Sequence, residues 1–204
     1  RFKKNYPENY FDVGIAEQSL VGISAGLSYE GYDVISTTFA PFQTLRCLEQ
    51  IKLNSGYMNL KIVYVGLASG ICLGNLGFSH CSIEEIGALR SIPNLNIFSP
   101  CDTTSVYSSL KLALESKNSS YIRLTGDTNL KLIYHEEEKF ILGGFKEILK
   151  GKDILILSSG AIIKEAYEAA VELKEHGMEC SLIDMYCLKP INEEALYKTL
   201  SNYQ

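Results

Sequence analysis

The sequence predicts an α/β fold: a mostly parallel sheet flanked by helices, followed by an incomplete second α/β domain. Three observations carry this. β-rich runs alternate with helix-like segments along the whole chain. The run KIVYV at 61–65 is continuously apolar, as a strand covered on both faces is. Composition turns polar near 125–152 (TGDTN, YHEEEK, LKGKD), which marks a crossover between two domains. The expected division is an α/β domain over 1–135, a linker over 136–152 and the first part of a second domain over 153–204.

Taken in order, residues 10–13 read as extended. Residues 15–30 read as a helix that Gly31 ends. DVISTT at 33–38 is β-rich, and a helix is expected over 42–54 behind Pro41. A Gly-rich loop spans 66–79. A helix follows at 82–91, where SIEE offers a capping box from Ser82 to Glu85. LNIFS at 95–99 is a strand, and Asp102 or Thr103 can cap a helix running to Lys117. SYIRL at 120–124 is another strand. DILILSS at 153–159 restarts the pattern as a buried strand. Residues 161–176 form an amphipathic helix with Ile162, Ala166, Ala169 and Leu173 on its apolar face and Gly177 as its stop. A strand at 179–185 and a helix at 192–202 close the chain.

With 204 residues and 46% hydrophobic content, a sizeable core can form. Net charge is −5 with both signs dispersed, and no basic stripe points to nucleic acid. The stretch from Ile62 to Phe78 is uncharged, but its glycines and Asn75 interrupt it and it is short for a bilayer, so no membrane partner is expected. The six cysteines have neither C-x-x-C nor zinc-finger spacing, which argues against a metal site and for a reducing, cytoplasmic compartment. The chain begins with Arg1 rather than Met and reads as a piece of a longer polypeptide.

Four side chains raise a choice. Glu17 lies in the first turn of a helix of small and apolar residues. It either complements the helix dipole or works on a ligand. Gly22 and Gly26, four apart, leave that helix open to close approach. Phe39 and Phe42 flank Pro41 as core residues or as a stacking slot for a flat ring. His80 ends the Gly-rich loop, which has neither P-loop nor G-x-G-x-x-G spacing but follows a buried strand, at the sheet edge where open α/β folds bind ligands. His135, His176 and the acidic run 136–138 read as surface features.

FDVGIAEQSLVGISAGLSYEG, TTFAPFQTLRCLEQIK, GNLGFSHCSIEEIGALRSIPN and FSPCD, in that order, make the sequence resemble the transketolase family of thiamine diphosphate enzymes. The likeness covers essentially the whole chain and is greatest to carboxyl-terminal sections or subunits: the pyrimidine-binding domain, without its first strand and helix, plus the start of the C-terminal domain. It implies that Glu17 contacts N1′ of the aminopyrimidine and that Phe39 and Phe42 pack on that ring. By the same resemblance His80 meets substrate hydroxyls and helps proton transfer, and Arg123 lies near a phosphate-binding position. Leu45, Leu76 and Gly126 depart from the family's aromatic, aspartate and arginine. The resemblance further implies that Mg²⁺ and the diphosphate are held by a diphosphate-binding domain or subunit outside this chain. GDTN at 126–129 does not supply that element. A homo- or hetero-oligomer with a shared active site, inactive without that partner, acting on phosphorylated or otherwise modified sugars, is therefore expected. Three activities stay open: ketol transfer between sugars, decarboxylating ligation as in deoxyxylulose-phosphate synthases or 2-oxoacid dehydrogenases, and a non-catalytic scaffold subunit.

Overall fold

The computed structural model describes residues 1–125, 132–135 and 138–203. Gly126, GDTN at 126–129, and Glu136 and Glu137 of the acidic run lie outside the described residues. The chain opens with a single-turn helix α1 (Phe2–Asn5) and a 3₁₀ turn at Pro7–Asn9. Residues 10–13 make no strand, although Tyr10 is extended at φ −118°, ψ 121°. Helix α2 (Glu17–Tyr29) follows, and Gly31, at φ +90°, turns the chain into β1 (Val34–Phe39).

The single helix expected over 42–54 is broken into α3 (Ala40–Gln43), α4 (Leu48–Ile51) and a π-helical turn over Lys52–Tyr57. The break has a local cause. Arg46 N–H reaches back to the Pro41 carbonyl, one residue beyond α-helical spacing, and the Thr44 hydroxyl donates to Ala40 O at 2.6 Å. Then come β2 (Ile62–Leu67), 3₁₀ turns at Gly74–Leu76 and Phe78–His80, α5 (Glu85–Arg90) and β3 (Leu95–Phe98). Helix α6 (Thr103–Glu115) leads to β4 (Ser119–Arg123).

The rest comprises β5 (Lys146–Leu149), β6 (Ile154–Ser158), α7 (Ile163–Glu175), β7 (Cys180–Asp184), β8 (Cys187–Lys189) and α8 (Glu193–Leu200).

The strands form two sheets, ordered β1-β2-β4-β3-β8 and β5-β7-β6. In the first, β1, β2, β4 and β3 run parallel, and β8 closes the edge antiparallel to β3. A strand from the distal part of the chain thus completes the proximal sheet. In the second sheet β6 and β7 are parallel and β5 antiparallel. One core joins Val21 and Ala25 of α2 to Ile62, Tyr64, Leu95, Ile97 and Tyr121. The other spans both parts, with Phe98, Ile122, Phe140, Ile163 and Tyr186. Phe140, inside the expected linker, stacks on Tyr186 with ring centroids 3.8 Å apart.

Two further expectations are corrected. Strand β6 lies at a sheet edge and is only partly covered, Leu157 being 43% exposed, whereas β7 beside it is buried throughout. The buried stripe of α7 runs through Ile163 and Ala170, one position on from the expected face, and Ile162 is exposed.

Candidate functional site

The carboxyl edge of the first sheet gathers the site. β1 ends at Phe39, which pairs with Leu67, and Gly66 pairs with Arg123 at the end of β4. Phe39 and Arg123 thus share one edge with β2 between them, about 10 Å apart by strand spacing. Gly66 is required there: a Cβ would stand 2.5 Å from Tyr121 Oη.

Glu17 is the first residue of α2, against β1, so the helix's free N–H groups face this edge. Its side chain is 11% exposed, and Oε2 accepts from Arg46 Nη1 at 2.8 Å. Burial pushes the carboxyl pKa up. Its own backbone N–H and the Arg46 guanidinium outweigh that, and the group sits below the usual carboxylate value.

Phe39, Phe42 and His80 form an edge-to-face trio with centroid separations of 6.2 Å (Phe39–Phe42), 6.4 Å (Phe39–His80) and 5.2 Å (Phe42–His80). Phe39 is 40% exposed, so the trio faces outward rather than into the core. The 3₁₀ turn at Phe78–His80 brings His80 there, and its Nδ1 lies 3.1 Å from Ser79 Oγ. Arg46 extends its guanidinium over the Phe42 ring, 3.9 Å from the centroid. A groove of about 220 Å³ runs alongside, lined by Phe42, Leu45, Arg46, Phe78 and Glu84 among others. A larger hollow of about 480 Å³ lies far along the chain between α7 and Met178; it is mostly apolar and gathers no comparable ring set.

The structure therefore brings together four of the five expected residues: Phe39, Phe42 and His80 in ring contact, and Glu17 through Arg46. Arg123 stands apart from that group. Its Nε donates to Glu85 Oε1 at 2.7 Å, and Glu85 is fully buried. Glu85 is thus a buried ion-pair partner and not half of a capping box; α5 has no side-chain cap. Arg46 was missed from the sequence. Its signal was the spacing from Phe42: a cation four residues after an aromatic.

The donor set fits half of thiamine diphosphate. A carboxylate at a helix start and flanking aromatic rings suit a flat, nitrogen-rich aminopyrimidine, and the planar Arg46 cation already makes contacts of that kind. No group of three or more His, Cys, Asp or Glu is placed to hold a metal among the described residues. Among them no helix is long and apolar enough to cross a membrane.

The family model "Transketolase, pyrimidine binding domain" matches residues 1–128, and "Transketolase, C-terminal domain" matches residues 143–204. An apulose-4-phosphate transketolase subunit of Phocaeicola vulgatus is 34% identical over 198 residues, which are 97% of this chain and 63% of that protein. A putative transketolase C-terminal section of Methanocaldococcus jannaschii is 33% identical over 199 residues, again 97% and 63%. A solved structure described as "Split gene transketolase, inactive beta4 tetramer" superposes with a TM-score of 0.90 at 33% identity, over 99% of this chain and 65% of that one. The chain spans somewhat under two thirds of the length of these relatives. With both family models matched in order and such relatives covered along nearly all its residues, the chain belongs to the transketolase family, as a pyrimidine-binding domain continued by C-terminal-domain sequence.

Proposed function

We propose that this chain is the carboxyl-terminal part of a transketolase-like enzyme that moves a two-carbon ketol unit between sugars. The observation that carries this reading is the placement of Glu17, at the start of α2, in one connected group with the Phe39–Phe42–His80 trio. Bound thiamine diphosphate would supply the electron sink for breaking the carbon–carbon bond. Glu17 would hold a shared proton at the aminopyrimidine nitrogen, and Phe39 and Phe42 would orient the ring. His80, with Nδ1 beside Ser79, would offer Nε2 to a sugar hydroxyl. Arg123 would stand for the substrate's phosphate at the end of β4.

The diphosphate and Mg²⁺ fall to a partner domain or subunit, and the active site to the interface of an oligomer, dimeric in its simplest form. Supporting this, added Cβ atoms at Gly22 and Gly26 would meet nothing within 4 Å. Phe78, Ile71 and Ile15 stand exposed in the segments flanking the site. The division into residues 1–135, a linker over 136–152 and 153–204 belongs to the same proposal, as do carbohydrate metabolism and a cytoplasmic setting, where six free cysteines suit reducing conditions.

The test is reconstitution. The full-length protein combined with a diphosphate-binding partner, thiamine diphosphate and Mg²⁺ should transfer a two-carbon unit from a ketose phosphate to an aldose phosphate. Alone, it should not. Glu17→Gln should lower turnover about 10²–10⁴-fold, the range for a positioned proton-transfer group. Release of CO₂ from pyruvate would instead assign decarboxylating ligation. Failure to bind the cofactor in calorimetry would leave a scaffold subunit.

A further inference from the structure

We propose that Arg46 is a latch: in the cofactor-free chain its guanidinium occupies the aminopyrimidine's place on Glu17 and Phe42, and must swing out for the cofactor to bind. The inference rests on the function proposed above and adds to it a residue that competes for the site.

Three observations carry it. Arg46 Nη1 donates to Glu17 Oε2 at 2.8 Å, engaging the carboxylate that the ring nitrogen would need. The same guanidinium lies 3.9 Å from the Phe42 centroid, which leaves no room for a second flat group on that face. A guanidinium and a protonated aminopyrimidine are alike in kind: both are planar, delocalised cations with N–H donors in the plane. Arg46 thus makes with one side chain the two contacts the cofactor ring would make.

The latch is also free to move. The Arg46 side chain is 44% exposed, so protein does not wall it in. Its backbone is held independently: its carbonyl accepts from Gln18 Nε2 at 3.3 Å, and its N–H donates to Pro41 O. Rotation of the side chain toward the open groove beside Phe78 and Glu84 would clear both Glu17 and the ring without disturbing the α3–α4 turn. While latched, the carboxylate is neutralised and kept from other cations. A half-exposed ion pair and one cation–ring contact are each modest, so the cofactor can displace them.

The test compares wild type with Arg46→Met and Arg46→Lys in the full-length protein with its diphosphate-binding partner and Mg²⁺. Thiamine diphosphate affinity is read by calorimetry. The carboxyl titration of Glu17 is read by ¹³C NMR in the protein without cofactor. Arg46→Met should bind the cofactor about three- to tenfold more tightly, and its Glu17 should titrate at higher pH than in wild type. Arg46→Lys keeps a charge but loses the plane and should fall between. Equal or weaker cofactor binding by Arg46→Met, with wild type binding normally, overturns the latch and leaves the proposed function standing. Binding by Arg46→Met alone supports it. Binding by neither protein overturns both the latch and the function it rests on.

Discussion

Tyr134 Oη donates to Asp184 Oδ2 at 2.8 Å, and that contact fastens the end of β7 to the segment following the first sheet. Asp184 is fully buried; Cys101 Sγ lies 3.6 Å from the same oxygen, and Oδ1 has no partner among the described residues. Burial is the main cause that pushes its pKa up, to about 7. Hydrogen bonds from Tyr134 and Cys101 pull the other way, and the nearby Asp102 charge adds to the rise. A carboxyl raised in the folded state binds more protons folded than unfolded between about pH 4 and 7, so unfolding free energy falls as pH rises through that window. The effect is fully felt above pH 7 and absent below pH 4. Asp184→Asn should remove this slope: wild type should lose up to about 4 kcal/mol more than the variant between pH 4 and 8 in urea titrations. Parallel pH profiles would show that the carboxyl titrates normally.

The Arg123–Glu85 pair predicts a different signature. Glu85 is fully buried and Arg123 is 16% exposed, so neither charge is solvated well alone. Tyr121 Oη, Ser82 Oγ and Glu85 Oε2 are also buried, without partners among the described residues. Glu85→Ala should destabilise by about 3–5 kcal/mol, and Glu85→Ala with Arg123→Met by distinctly less, since the orphaned cation goes too. Denaturant midpoints of the singles and the double check this. An additive result would mean that the pair is not coupled.

What sequence could reveal followed from how local each cause is. Strand β2 was legible because both faces are covered and the run is apolar throughout. Helix α2 was legible from its Gly31 stop, and α6 from its Asp102 cap. Helix α7 was found, but its face was assigned one residue early, since alanines at 166, 169 and 170 blur the apolar stripe. Strand β8 has three residues and exists through pairing with β3, about ninety residues earlier; no local pattern encodes that. Glu85 was misread because S-x-x-E looks alike whether the glutamate turns back to the helix start or inward to a distant arginine. Of the five residues the resemblance named, the structure gathers Glu17, Phe39, Phe42 and His80 into one connected group and leaves Arg123 on Glu85. Arg46 was not named, because its contacts depend on where Glu17 comes to rest.

Asp102 shows how much one acid can hold. Its Oδ1 accepts from Ser105 N at 2.8 Å to cap α6, while Ser105 Oγ accepts from the Asp102 N–H at 2.9 Å. Its Oδ2 accepts from Ile133 N at 2.8 Å and Tyr134 N at 2.9 Å. Asp102→Ala should cost ~3 kcal/mol or more, because three N–H groups lose their acceptor, those of Ser105 and Tyr134 in buried hydrogen bonds and that of Ile133 in a partly buried one. Asp102→Asn should be nearly as harmful. Its oxygen can serve the helix or the 133–134 segment but not both, and its NH₂ would face donors. Thermal melts of the two variants measure this, and a mild Asn phenotype would contradict the double-acceptor role.

His80 predicts a split between substituents of different reach. Ring contacts to Phe42 and Phe39 set the plane of the imidazole, and Ser79 Oγ beside Nδ1 leaves Nε2 for a substrate hydroxyl under the proposed function. A glutamine amide reaches about as far as Nε2, whereas an asparagine amide reaches only the Nδ1 position. His80→Asn and His80→Ala should therefore lower kcat/KM for the donor sugar about tenfold or more, the scale of one hydrogen bond, and His80→Gln should recover part of it. The loss should appear mainly in KM if Nε2 only binds the sugar, and in kcat as well if it moves a proton. Cofactor affinity should stay within about twofold of wild type, because the proposed function gives the aminopyrimidine to other side chains. Equal losses for Asn and Gln would place the functional nitrogen elsewhere and reduce His80 to packing against Phe42.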